Sequence, residues 1–401
     1  MSQNSPDRPD AGSGSGSTTT ATRSSPPVAA PRPKEGSPVY TGILIAIGAV
    51  LLIGVLFVGL SLAGVFTPEV TWPAWLVRST TAVQKFGLMF FAIILFVVVM
   101  SLILLSVDRA RGVRNWAVAL AFLGPMGLML IFGLIYPGLR TLRESLFDRT
   151  SANYVGFDNY ATLFTEDIFQ TVLRNTAIWV FLVPIVATFI GLVYAVLVDR
   201  TRFEALAKGL IFLPMAISMV GASIIWKFIY EYRPDQPGVE QIGLANQILV
   251  WLGREPYQFL ITSPWNNIFL IVVMIWIQSG FAMTVLSAAI KAIPDDITEA
   301  ARLDGVTGFG MFRYVTVPSI RPALVVVLTT IAIGTLKIFD IVRTMTGGNF
   351  NTSVVANEFY TQSFRQFNTG LGAALAVVLF VLVIPIVIYN VRQLRLSEDV
   401  R

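Results

Sequence analysis

The chain has 401 residues, of which 55% are hydrophobic and only 13% charged, with a mean hydropathy of +0.70; an average soluble domain carries roughly 25% charged residues, so this composition excludes one and indicates an integral membrane protein. Neither cysteine nor histidine is present, which removes disulfides, thiol nucleophiles, Cys/His zinc sites, histidine haem ligation and any Ser/His/Asp triad. The net charge of +5 does not mark a nucleic-acid binder, because Lys and Arg concentrate between apolar runs, as at Arg109, Arg111 and Arg114, in the manner of membrane topology.

Residues 1–42 are rich in Ser, Thr, Gly and Pro and are expected to form a disordered cytoplasmic tail. The first apolar run begins only at Ile43 and is too long for a signal peptide, so it reads as a retained span. Eight apolar runs follow one another, starting near Ile43, Phe86, Trp116, Ala177, Gly209, Asn267, Pro322 and Leu371 and ending near Phe66, Val107, Leu139, Val198, Tyr230, Ile290, Val342 and Tyr389. Each is long enough for a helix across a hydrocarbon core of about 30 Å. The pattern predicts an all-α polytopic membrane protein with both ends cytoplasmic, because Lys and Arg are denser in the segments that this topology places inside. The third run is interrupted by Pro125, which a membrane helix tolerates when neighbours satisfy the freed carbonyl. The segment of about 140–176 is short and external, and Arg174 and Asn175 at its end have no assigned role. Lys227, near the outer end of the fifth run, reads as a snorkelling lysine.

Polar groups inside spans are costly and default to functional candidates. Gln278 lies roughly 17 Å into the sixth run at about 1.5 Å per residue, near mid-membrane, with Phe281 one turn further on. An amide and an aromatic face at this depth suit a sugar; alternatively Gln278 bonds a neighbouring helix and Phe281 is plain packing. On the seventh run Lys337 and Asp340 are spaced to pair on one helical face. Either Lys337 snorkels outward with that partner, or it belongs with Thr335 on a solute path.

Between the sixth and seventh runs, residues 291–321 carry the signals of a short helix. Pro294 suits its first position, and Asp295 and Asp296 suit the positive end of its dipole. Ile297, Ala300, Ala301 and Asp304 share one face, and the two alanines leave it low enough for another protein to approach. Gly305 suits a left-handed helix end, and Thr307 suits the cap of a second short helix running to Tyr314. Pro318 and Pro322 close the unit. Phe309, Met311 and Phe312 either fill a pocket on a partner or pack beneath their own spans.

Glu299-Ala300-Ala301, Gly305 and Val315-Thr316-Val317-Pro318 resemble the EAA loop of ABC importer permeases, with Val315 and Val317 where that family usually has Ile and Leu. The stretches Ile211-Phe212-Leu213-Pro214-Met215, Trp276-Ile277-Gln278-Ser279-Gly280-Phe281 and Phe339-Asp340-Ile341-Val342, followed by Thr346-Gly347-Gly348, resemble the carbohydrate-importer permeases in the same order, and within them the α-glucoside type. The resemblance implies a six-helix type I core over 116–395, two additional helices over 43–115 as in the larger maltose-type subunit, and a short cytoplasmic end at 396–401. The external domain of that subunit has no counterpart, since 140–176 is too short.

The resemblance further implies that the loop docks in a groove on a separate ATPase, with Glu299 accepting hydrogen bonds, Ala300 and Ala301 permitting contact and Gly305 setting the bend. No Gly-Lys dipeptide occurs, so a phosphate-binding loop is missing and ATP would be bound by the partner; no cofactor, metal or catalytic residue is expected in the chain itself. Phe281 falls where maltose-type permeases present an aromatic to substrate, and the family places substrate contacts on the helix of Thr335 and Lys337. The expected partners are a second permease, a cytoplasmic ABC ATPase dimer, an external solute-binding protein, a carbohydrate and the lipid bilayer of a bacterial cytoplasmic membrane. The rival readings are an importer for a polyol, glycerol phosphate or peptide, and an ion-driven secondary transporter. The latter usually buries several acids, whereas Asp340 is the only acid within a run.

Overall fold

The structure, a computed structural model, describes residues 131–398 except 200, 235, 237 and 239, with side chains to Gln393, and part of the stretch 90–130. The chain divides into two compact units, 1–130 and 131–401. In the first, the described positions are helical; the expected tail and first span lie outside the described residues, as do much of the second span and the start of the third. The second unit is all helix, with one isolated bridge between Phe147 and Tyr154 and no strand among the described residues.

The third apolar run ends in a π turn, Ile131–Ile135, which leads into α1 (Tyr136–Glu144) beyond the expected end at Leu139. The π turn falls just before Pro137, whose missing N–H and bulky ring break the regular hydrogen-bond ladder. After α2 (Asp158–Thr165), α3 runs over Asp167–Val198, starting well before Ala177: Arg174 and Asn175 bound the apolar run but do not stop a helix, and Asp167 in the first turn suits the dipole.

The fifth run is not the single straight span that its hydropathy suggests. It forms α4 (Glu204–Phe212), a 3-10 turn (Leu213–Ala216) and α5 (Met219–Ile229), bent by 101° at the break. Pro214 begins the tight turn, Ile217 and Ser218 are extended, and Ser218 Oγ accepts the Gly221 N–H at 3.0 Å to cap α5. After α6 (Leu244–Trp251), α7 (Trp265–Lys291) matches the sixth run closely. α3 and α7 lie parallel: buried Trp179 donates to Asn267 Oδ1 at 2.7 Å, and further along both helices Gly191 backs onto Ala282. Parallel neighbours require the chain to return between them, and α4 and α5 do so in two pieces.

The loop helices α8 (Asp295–Leu303) and α9 (Phe309–Ser319) come next, the latter with a π turn at its centre. α10 (Arg321–Leu336) follows a 69° bend. The seventh run then differs from expectation: α10 stops at Leu336, and α11 (Asp340–Met345) is a separate helix. α12 (Val355–Tyr360) and α13 (Thr369–Glu398) complete the unit. Among the described residues, three helices, Asp167–Val198, Trp265–Lys291 and Thr369–Gln393, are long and apolar enough to cross a membrane, or up to five if each bent pair counts as one span.

The main core joins α3, α7, α10 and α11 through Trp179, Val183, Met274, Leu286, Ile331 and Ile341. A smaller one joins α2, α12 and the first turns of α3 and α13 through Leu163, Phe169, Val355 and Leu375.

Candidate functional site

α8 begins as its sequence suggests, displaced by one residue: Pro294 is the N-cap, with Asp295 and Asp296 in the first turn. It ends at Gly305, whose φ of +80° lies in the left-handed region. Gly305 N–H donates to the Arg302 carbonyl at 3.0 Å and Val306 N–H to the Ala301 carbonyl at 2.9 Å. These two bonds define a Schellman stop, which satisfies carbonyls the helix end would otherwise leave open.

No residue of α8 is buried. Glu299, Ala300 and Asp304 are exposed, Ala301 is half-buried, and Leu303 is 89% exposed. An apolar side chain that open, beside two alanines and a carboxylate, makes a low face with an apolar edge. Across the turn Phe309 is 74% exposed, while Met311 and Phe312 are half-buried; the two phenylalanine rings are 6.0 Å apart. The loop therefore presents Phe309 outward and keeps Met311 and Phe312 closer to its own body.

Two expectations for the second loop helix require correction. Thr307 does not cap it: Gly308, at φ +53°, holds the N-cap position without a side-chain bond. Nor does it stop near Tyr314: α9 continues to Ser319, with the π turn Phe312–Thr316 accommodating Pro318, and the bend falls at Ile320, between Pro318 and Pro322 as the closing prolines suggest.

Along the expected solute path the residues separate. Gln278 is half-buried, and its amide makes no hydrogen bond among the described residues. It faces Gly334 of α10, where an added Cβ would lie 3.9 Å from Gln278 Nε2. Phe281 is half-buried and packs against the main core. Thr335 is fully buried and donates its hydroxyl to the Ile331 carbonyl at 2.8 Å, so in this conformation it offers nothing to a solute. Lys337 is exposed at the C-cap of α10, and no ion pair joins it to Asp340, because the helix that would have aligned them stops at Leu336. An apolar groove of about 350 Å³ lies elsewhere, between α3, α10 and α13, and includes Phe181, Pro184 and Pro385 but not Gln278.

Asn175, unassigned from sequence, holds the loop between α11 and α12: its Nδ2 donates to the Asn351 carbonyl at 2.7 Å and the Ser353 carbonyl at 3.0 Å. Thr176 Oγ1 accepts from Val355 N–H at 2.9 Å, and Asn266 Nδ2 donates to the Phe350 carbonyl at 2.8 Å. Phe350 and Asn351 have positive φ, +57° and +60°, a strained pair that persists because these side chains hold it. The available signal was Gly347-Gly348-Asn349, which marks a turn but not its anchors.

Residues 160–395 match the model of the family described as "Binding-protein-dependent transport system inner membrane component". The chain is 47% identical over 280 residues to the osmoprotective compounds uptake permease protein GgtC of Synechocystis sp., covering 70% of this chain and 100% of that protein. It is 46% identical over 285 residues to the alpha-glucoside transport system permease protein AglF of Rhizobium meliloti, covering 71% of this chain and 83% of that one. Among solved structures it resembles a chain of a bacterial alginate ABC transporter in complex with an alginate pentasaccharide-bound periplasmic protein. The TM-score is 0.59 at 23% identity, over 69% of this chain and 93% of that chain, which is a likeness of fold.

Proposed function

The chain belongs to the family of binding-protein-dependent transport system inner membrane components, and on that premise we propose that it is the permease subunit of an ATP-driven importer that carries a carbohydrate of the α-glucoside class across a bacterial cytoplasmic membrane. Membership of this family replaces the ion-driven reading. The observation that carries the proposal is α8: a short helix with no buried residue, closed by a Schellman turn at Gly305 and joined directly to the C-terminal end of α7. Such a helix has no packing role of its own, and its face of Glu299, Ala300 and Leu303 suits a groove on a cytoplasmic ATPase.

In this mechanism an external binding protein delivers the solute, closure of an ATPase dimer displaces α8, and the spans of this subunit and a second permease rearrange around a central path. The half-buried amide of Gln278 opposite Gly334 is, among the described residues, a polar group placed to meet a sugar hydroxyl. The name of AglF supports an α-glucoside as the solute. That of GgtC favours, as a second reading, an osmoprotective compound.

The test is co-purification from the native membrane, comparing wild type with Glu299→Lys, together with uptake of a radiolabelled α-linked disaccharide. An ATPase and a second permease recovered with wild type and lost from the variant is the expected result. Recovery of the chain without any ATPase in either sample would overturn the reading.

A further inference from the structure

Four charged side chains meet where three helices end or begin. Asp199 is the C-cap of α3, Glu204 is in the first turn of α4, Lys208 follows one turn later, and Lys291 is the last residue of α7. Lys208 Nζ donates to Glu204 Oε1 at 2.5 Å, and Lys291 Nζ donates to the same oxygen. Asp199 Oδ1 lies 3.7 Å from Lys208 Nζ and 3.6 Å from Lys291 Nζ. Lys208 also donates to Ser287 Oγ, a buried hydroxyl on α7. The side chains of Asp199, Glu204 and Lys208 are only 11%, 21% and 22% exposed, so water screens their pairs less than an ordinary surface pair, while Lys291, at 49%, is screened more. Lys291 also stands at the negative end of the α7 dipole, where a cation is favoured.

The connections to α8 differ sharply on its two sides. From Lys291 the chain continues as a tight turn, with Ala292 N–H donating to Ala288 O at 3.1 Å and Ile293 N–H to Ile290 O at 3.2 Å, and α8 starts at Asp295. On the other side it leaves through two glycines of positive φ, Gly305 and Gly308, and then the bend at Ile320. One side is short, hydrogen-bonded and pinned by charge; the other contains the glycine torsions.

We propose that Asp199, Glu204, Lys208 and Lys291 are positioning residues that form a charged joint, welding the end of α7 to α3 and α4 so that displacement of α8 is delivered to the break between α4 and α5 while the glycine side yields. The proposal rests on the importer reading above. The joint predicts an asymmetric motion: α8 and α4 move as one body, and α8 moves relative to α10. Close packing of the same helices supports a single body, since an added Cβ on Gly280 of α7 would lie 2.5 Å from the Ile211 carbonyl of α4, and one on Gly191 of α3 would lie 2.5 Å from Ala282 Cβ.

The chain has no cysteine, so paired spin labels meet no background from this chain, and cysteine-free partner subunits keep the complex free of it. Two pairs, Leu206→Cys with Asp296→Cys and Arg321→Cys with Asp296→Cys, are measured by electron-electron resonance in the purified complex with its ATPase, nucleotide-free and with ATP trapped by vanadate. The expected result is an unchanged 206–296 distance and a shifted 321–296 distance. Lys291→Glu should broaden and lengthen the 206–296 distance, whereas Lys291→Arg, which keeps the charge facing Asp199 and Glu204, should leave it unchanged. A 206–296 distance that shifts with nucleotide as much as the other overturns the joint, and this comparison needs no charge variant to fold. If Lys291→Glu fails to insert, Lys291→Gln gives the same reading with a smaller broadening. Absence of an ATPase from the purified complex would instead overturn the importer reading.

Discussion

A methyl group at position 305 would meet no atom within 4 Å, yet it would have to hold a φ of +80°. The left-handed region costs a non-glycine residue on the order of 1–2 kcal/mol, so Gly305→Ala is expected to unwind the end of α8 by that amount, read as faster amide exchange at Val306 and weaker recovery of the ATPase. Gly305→Pro cannot adopt the torsion at all and should insert normally but lose ATPase association and transport; normal uptake by this variant would count against the role of Gly305. Asp148 invites a pH test. The Asn153 side chain donates to it at 2.7 Å, and with the Ala152 N–H and the Thr150 hydroxyl this holds its carboxyl down to about 2. A depressed carboxylate contributes stability above its ordinary pKa of about 3.9 and loses it as the pH falls through the folded value. The 148–153 turn should therefore keep its amide protection to about pH 3, and Asp148→Asn should lose it at every pH. The ends of α8 were legible from residues because caps and stops are local chemistry. The role of Asn175 was not, because its partners at Asn351 and Ser353 are distant in the chain.

Hydropathy located the helices well where a whole element is buried in one direction, as for α7, and failed where an element changes direction inside an apolar run. The break between α4 and α5 carries little polar punctuation beyond Ser218, whereas the stop of α10 after Leu336 falls at Lys337, a charge that interrupts the run but reads equally as a snorkelling side chain on an unbroken helix. The π turns before Pro137 and Pro318 likewise leave no mark on an apolar pattern. Contact from elsewhere adds to the local turn at Pro214 and Ser218, since Gly280 lets the α7 backbone reach the Ile211 carbonyl. Gly280→Ala should force these elements apart and cost about 1–3 kcal/mol, as overpacking does, read as a lower melting temperature in detergent. Gly209→Ala, with nothing within 4 Å of the added carbon, is the matched control and should leave melting unchanged or raise it slightly, because alanine favours the helix.

Across the whole second unit, the parallel pair α3 and α7 is fastened at both ends. At one end Asn175, Thr176 and Asn266 grip the loop of residues 350–355; at the other the four charges join α3, α4 and α7. Asn175→Ala should release only the first fastening. Faster amide exchange is expected at 352–355 with α8 unchanged, and an equal loss of protection in α8 would show that the ends are not independent. The broken span has a further consequence for how the protein is made. Its two pieces, Glu204–Ala216 and Met219–Ile229, are roughly 20 Å and 16 Å long at about 1.5 Å per residue, and neither alone crosses a hydrocarbon core of about 30 Å. Insertion machinery meets one continuous apolar segment, while the residue against which it bends, Gly280, has not yet been synthesised. The packing of the 101° bend against Gly280 can therefore form only after α7 has been synthesised, which ties that contact to the order of translation.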